Sequence, residues 1–130
     1  MAIAESNPRQ ALYLLNKANI IWEDNISFLE AKAQLQNQLQ LYKEAKTTNR
    51  KLYKLIPNSP FYTYYCAVLS AVNGDFEEAN MFATEYESKY GFNEKIYDVK
   101  YNYFLKNKYG LISILLHILY ICMPYLSLTL

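Results

Sequence analysis

Tyr42-Lys43-Glu44-Ala45 and Phe76-Glu77-Glu78-Ala79 share one pattern: an aromatic, a polar residue, a glutamate and an alanine. They lie 34 residues apart, and the spacing recurs around them. Ala11 stands 34 before Ala45, and Ala33 and Ala67 share the same offset. Pro57 follows Ala45 by 12 residues, and Gly91, another helix stopper, follows Ala79 by 12. A period of this length fits two short helices and two turns, stacked on copies of themselves.

Helix signals fill that frame. Asn7-Pro8 reads as an N-cap with proline at the first helical position, and Gln10 would complete a capping box. Ala11, Leu14, Leu15, Ala18 and Ile21 then trace an i, i+3, i+4 stripe. Further helices are expected over 26–37, 41–56 and 61–72. Asn73-Gly74-Asp75 supplies a turn plus an N-cap, a fifth helix follows to about 90, and Asn93 caps a sixth that fades near 107. No stretch sustains period-two alternation, so the fold class is all-α.

Composition narrows the function. Thirteen Lys+Arg face twelve Asp+Glu, a formal +1, and Arg9 and Arg50 are the only arginines, so no nucleic-acid partner is expected. At 52% hydrophobic residues the chain is not disordered, and three Gly with four Pro are too few for a turn-rich sandwich. Two cysteines, Cys66 and Cys122, cannot make a disulfide framework, which points to a reducing, cytoplasmic setting. His117 is the single histidine, and no CxxC, HExxH, P-loop or GxGxxG occurs. The expectation is therefore no enzyme, no cofactor and no metal site. The N-terminus carries Glu5 and Arg9 and has no long apolar core, unlike a secretory signal.

All charged residues lie between Glu5 and Lys108. The run 111–130 has none, and eleven of its twenty residues are Leu or Ile. A helix of about 20 residues is about 30 Å long, the thickness of a bilayer core. The chain thus divides into an amphipathic body, 1–110, and an apolar tail, 111–130.

The body resembles the tetratricopeptide repeat family. Cys66 and Ala67 fall in its Leu and small-residue slots, Gly74-Asp75-Phe76 matches its turn and aromatic, and Ala79 its second small residue. One unit earlier, Leu29, Ala33, Tyr42, Ala45, Leu52 and Pro57 stand in corresponding places. The sequence departs from the pattern at Thr63 in the large slot and at Gln40-Leu41 in place of Gly-Asp. Lys32 stands for Leu, Gln36 and Ser70 stand for an aromatic, and Asn49 and Ala83 occupy another aromatic-preferring slot. The resemblance covers 8 to about 108, two full units and a half on either side. It implies antiparallel helix hairpins in a short right-handed superhelix whose open ends need cover from a second copy, a partner chain or the tail.

The resemblance also implies a concave groove lined by the first helix of each pair, and with it a binding module for a protein or peptide partner. Projected onto this sequence, the groove residues are Gln34, Asn37, Gln38, Phe61, Tyr64, Val68, Asp98 and Asn102. The carboxylate clamp of one subgroup is absent, since Glu30 and Tyr64 stand where Lys or Asn would. A polar side and an aromatic centre suit a peptide with apolar anchors, although Phe61 and Tyr64 also read as core between units. The basic third helix and acidic fifth suggest stacking pairs one period apart, Lys43 with Glu77 and Lys51 with Glu85.

Three readings of the tail stay open: a membrane anchor preceded by Lys106 and Lys108, a buried last helix covered by a dimer or partner, and a segment of no selected function. The chain is accordingly expected to be a protein-interaction module. The alternatives are a tail-anchored membrane adaptor and a piece of a larger solenoid.

Overall fold

A computed structural model describes residues 7–129, with side chains described as far as Met123. Among these residues the secondary structure is entirely helical: α1 Pro8–Ile21, α2 Ile26–Gln38, α3 Tyr42–Leu55, α4 Pro60–Val72, α5 Phe76–Tyr90 and α6 Glu94–Thr129. The all-α expectation holds, and the period is kept with unusual strictness. Helices α1, α3 and α5 start at 8, 42 and 76, and α2, α4 and α6 start at 26, 60 and 94, always 34 apart.

Local chemistry accounts for this regularity. Residues 25, 59 and 93 are Asn, Ser and Asn, and each side-chain oxygen accepts from the backbone N–H three residues on, at 3.0, 3.4 and 3.1 Å. Asn7 does the same for Gln10 at 3.2 Å, the first half of the expected capping box. The Ser59 cap, followed by Pro60, was not read from the sequence and moves the start of α4 one residue forward.

The turns repeat as well. Leu41 N donates to Gln36 O and, 34 residues later, Asp75 N donates to Ser70 O, both at 2.8 Å. Gln40 N with Asn37 O and Gly74 N with Ala71 O form a second matched pair, both at 3.0 Å. These are the paired bonds of a Schellman motif, which puts its pivot residue in the left-handed region. The pivots are Gln40 at φ 59° and Gly74 at φ 80°.

Consecutive helices pack against one another, and α4 also packs on α6. The core lies in three successive clusters. Ala11, Leu12 and Leu35 join α1 to α2. Leu29, Ala33, Leu52 and Tyr62 join α2, α3 and α4. Cys66, Ala67, Ala79, Phe82, Ala83, Ile96 and Val99 join α4, α5 and α6. The period-spaced alanines are the close-approach points: Ala45 and Ala67 are 0% exposed and Ala79 1%. Polar residues in slots expected to be apolar are buried with partners. Thr48 Oγ1 donates to Gln36 Oε1 at 2.7 Å, Asn49 Nδ2 to Ala45 O at 2.9 Å, and Thr63 Oγ1 to Ser59 O at 2.9 Å.

Helices α3 and α5 do meet through opposite charges, but not through the expected pairs. Lys46 contacts Asp75 and Glu78, Arg50 contacts Glu78, and Lys51 reaches back to Glu23 and Asp24 instead of Glu85. The α3–α5 partners are separated by 28 to 32 residues, two to six short of a full period. Asp75 gives its carboxylate to Lys46 and makes no side-chain cap of α5.

The sixth helix does not end near 107. Ile96 and Val99 are buried, but from 106 to 123 every residue is exposed, and α6 passes through Gly110 without a break. Lys108 occupies the place that corresponds to Gly74, and no turn forms there. Among the described residues, no helix is long and apolar enough to cross a membrane. The tail 111–130 lies partly outside the described side chains.

Candidate functional site

One cavity of about 500 Å³ opens between α2 and α4, floored by α3. Helix α2 contributes Glu30, Ala33, Gln34 and Asn37, helix α3 contributes Asn49 and Leu52, and helix α4 contributes Phe61, Tyr62 and Tyr65. The two walls are the first helices of successive units, held apart by the intervening α3. Ala33 and Leu52 make the base apolar, because each also packs in the α2–α3–α4 core.

The polar groups are unevenly satisfied. Tyr62 donates its phenol O–H to Glu30 Oε1, which ties one wall to the other. Burial, then the hydrogen bond and charge of Glu30, push the Tyr62 phenol up to about 12, so it stays a neutral donor. Asn49 Nδ2 is engaged with Ala45 O. Asn37 Oδ1 is buried and has no hydrogen-bond partner. The rim is aromatic: Phe61 is 60% exposed, and its ring lies 4.8 Å from that of Tyr65, tilted by 60°.

Of the eight groove residues expected from the sequence, the structure brings Gln34, Asn37 and Phe61 to this cavity. Gln38 is exposed at the end of α2. Tyr64 turns instead toward α5, edge-on to Tyr86 at 6.3 Å and to Tyr65 at 5.3 Å, against the α4–α5–α6 core. Burial raises its phenol. Val68 is half-buried, and Asp98 and Asn102 are exposed on α6, outside the cavity. Glu30, which the projection already places on the groove face, lines the cavity as well, whereas Asn49, Tyr62 and Tyr65 were not among the expected groove residues. Asn49 carried a signal, since a small polar residue in a slot that prefers an aromatic leaves volume unfilled. The pairing of Tyr62 with Glu30, 32 residues apart, carried none.

A second depression of about 740 Å³ lies beside α3 and α5, lined by Lys46, Arg50, Asp75, Glu77, Glu78 and Lys106 among others. Its charges mostly neutralise one another: Lys46 and Arg50 are paired to Asp75 and Glu78, and Lys106 lies 4.5 Å over the Phe76 ring. Cys66 is fully buried, and burial pushes its thiol up to about 12, far from a nucleophilic thiolate. Among the described residues, no group of three or more His, Cys, Asp or Glu is placed to hold a metal ion.

No protein-family model matches this chain, and no curated protein matches its sequence.

Proposed function

We propose that the chain is a protein-interaction module of tetratricopeptide-like architecture that holds a peptide or partner helix in the groove between α2 and α4. The observation that carries this reading is the cavity itself, open, aromatic at the rim and walled by the first helices of successive 34-residue units. The strict period of all six helix starts supports the architecture. Phe61, 60% exposed beside the cavity, is free to be desolvated by a partner, as hot-spot side chains are.

The test is selection of binding peptides from a displayed random library, followed by comparison of variants of the full chain. Phe61→Ala and Gln34→Ala should each weaken the selected peptide, the former by about 2 kcal/mol or roughly thirtyfold. Tyr97→Ala, exposed on α6 outside the cavity, should leave it unchanged. Equal affinity in all three would refute the groove.

A second reading rests on α6. Beyond Gly110 its apolar side chains are exposed, among them Leu111 at 64%, Leu116 at 61% and Met123 at 67%. The described charge-free stretch, 109–123, is fifteen residues, and in the sequence the run continues to 130. In this reading the body stays cytoplasmic while the tail enters a membrane behind Lys106 and Lys108, and the module is an adaptor. Retention of the full chain in carbonate-washed membranes, lost in a Leu115→Asp, Leu119→Asp variant, would support it. A discrete soluble dimer lost in that variant would instead make the tail an interface between copies.

A further inference from the structure

The cavity between α2 and α4 carries a negative charge with no cation in its lining. Its lining includes one carboxylate, Glu30, and no Lys, Arg or His. Glu30 commits one oxygen to the Tyr62 O–H, and a carboxylate can accept from several donors at once. Phe61 and Tyr65 add two aromatic rings to the lining, whose faces carry partial negative charge.

Each feature favours the same occupant. A neutral apolar anchor would fill the base beside Ala33 and Leu52 but would leave the Glu30 charge without a partner. An acidic side chain would be repelled by Glu30, with no cation in the lining to offset it. A guanidinium brings five N–H donors in a plane and stacks on aromatic faces. It can therefore pair with Glu30 and stack on the Phe61 and Tyr65 rings, while its methylene stem covers the apolar base.

We propose that this cavity seats an arginine side chain of the partner peptide, with Glu30 as the charge partner and the Phe61 and Tyr65 rings as its stacking surface. The inference rests on the groove reading above and specifies the chemistry of its anchor. It departs from the apolar anchor expected from the sequence.

The experiment titrates three short peptides into the isotope-labelled full chain, kept in a non-ionic detergent, and follows backbone amide shifts. The peptides are acetyl-Ala-Arg-Ala-amide, its citrulline counterpart, which is isosteric and uncharged, and acetyl-Ala-Leu-Ala-amide. The arginine peptide should shift the amides of Ala33, Asn37 and Asn49. It should bind at least about tenfold more tightly than the citrulline peptide, as a charge-assisted hydrogen bond requires. Glu30→Gln should abolish that preference while the rest of the amide spectrum stays in place.

Equal shifts by arginine and citrulline would overturn the charge partnership. Equal or stronger binding of the leucine peptide at the same amides would overturn the arginine anchor yet leave the groove standing as an apolar site. If none of the three peptides shifts the cavity amides, while a peptide selected for binding shifts residues elsewhere, the arginine anchor and the groove both fall.

Discussion

Ala79 shows what a single side chain decides in this chain. It is 1% exposed, in the α4–α5–α6 cluster with Cys66, Ala67 and Phe82, and α4 and α5 approach closely there because its side chain is one methyl group. Ala79→Leu should therefore force the helices apart and lower stability by about 1–3 kcal/mol, measured as a shift in the urea midpoint. This residue was legible because alanines recurring at a fixed interval mark the points where stacked helices touch. Tyr64 was not. The spacing assigned it to the same helix face as Phe61, but which neighbour a ring meets depends on Tyr86, which approaches from α5. No local pattern encodes that approach. Asp75 is a similar case: it has the chemistry of an N-cap, yet the Lys46 ammonium claims its carboxylate and holds it below the usual range.

At the scale of the element, the two matched turns make a controlled comparison. Gln40 and Gly74 occupy equivalent pivots with positive φ, where only glycine is free of a Cβ penalty. Gln40→Gly should stabilise the chain by about 1 kcal/mol, and Gly74→Ala should destabilise it by about 1–2 kcal/mol, both read from thermal unfolding. A Cβ at Gly74 meets no atom within 4 Å, so the expected loss is one of backbone conformation alone. Helix boundaries were legible here through Pro8, Pro57, Gly74 and Asn93. The length of α6 was not: the sixth helix was expected to fade near 107, but it runs on through Gly110. A lone glycine costs a helix only about 1 kcal/mol, and the leucines and isoleucines around it carry the helix across.

The whole molecule is a line of neighbours in which each cluster touches only the next, so ties between units matter more than they would in a single core. Two such ties have the same form. Tyr62 donates to Glu30, and Tyr53 donates to both oxygens of Glu85 at 2.8 Å, each pair 32 residues apart. Burial first, then the glutamate, pushes both phenols from 10 up to about 12. The fold thus favours the neutral phenol. The stability this gives is complete below pH 10 and declines as the pH rises from 10 to 12. The urea midpoint of the native chain should fall across that window more steeply than that of a Tyr53→Phe, Tyr62→Phe variant, which loses this component at every pH. Equal slopes would mean that these ties do not couple to the stack. The array was legible from its period, but the cavity came from something less visible: Asn49, with its short side chain, stands beside an open cleft where a ring would otherwise find room.

The unbroken passage of α6 through Gly110 makes the residue count between body and tail an angular setting. Each residue of an α-helix turns the axis by about 100° and advances it by about 1.5 Å. One residue inserted near Gly110 would swing the α2–α4 groove roughly a quarter-turn around whatever grips the far end of α6, with hardly any change in reach. Four would bring it back to within about 40° of its starting azimuth. The direction in which the groove faces is thus written in the phase of a single rod.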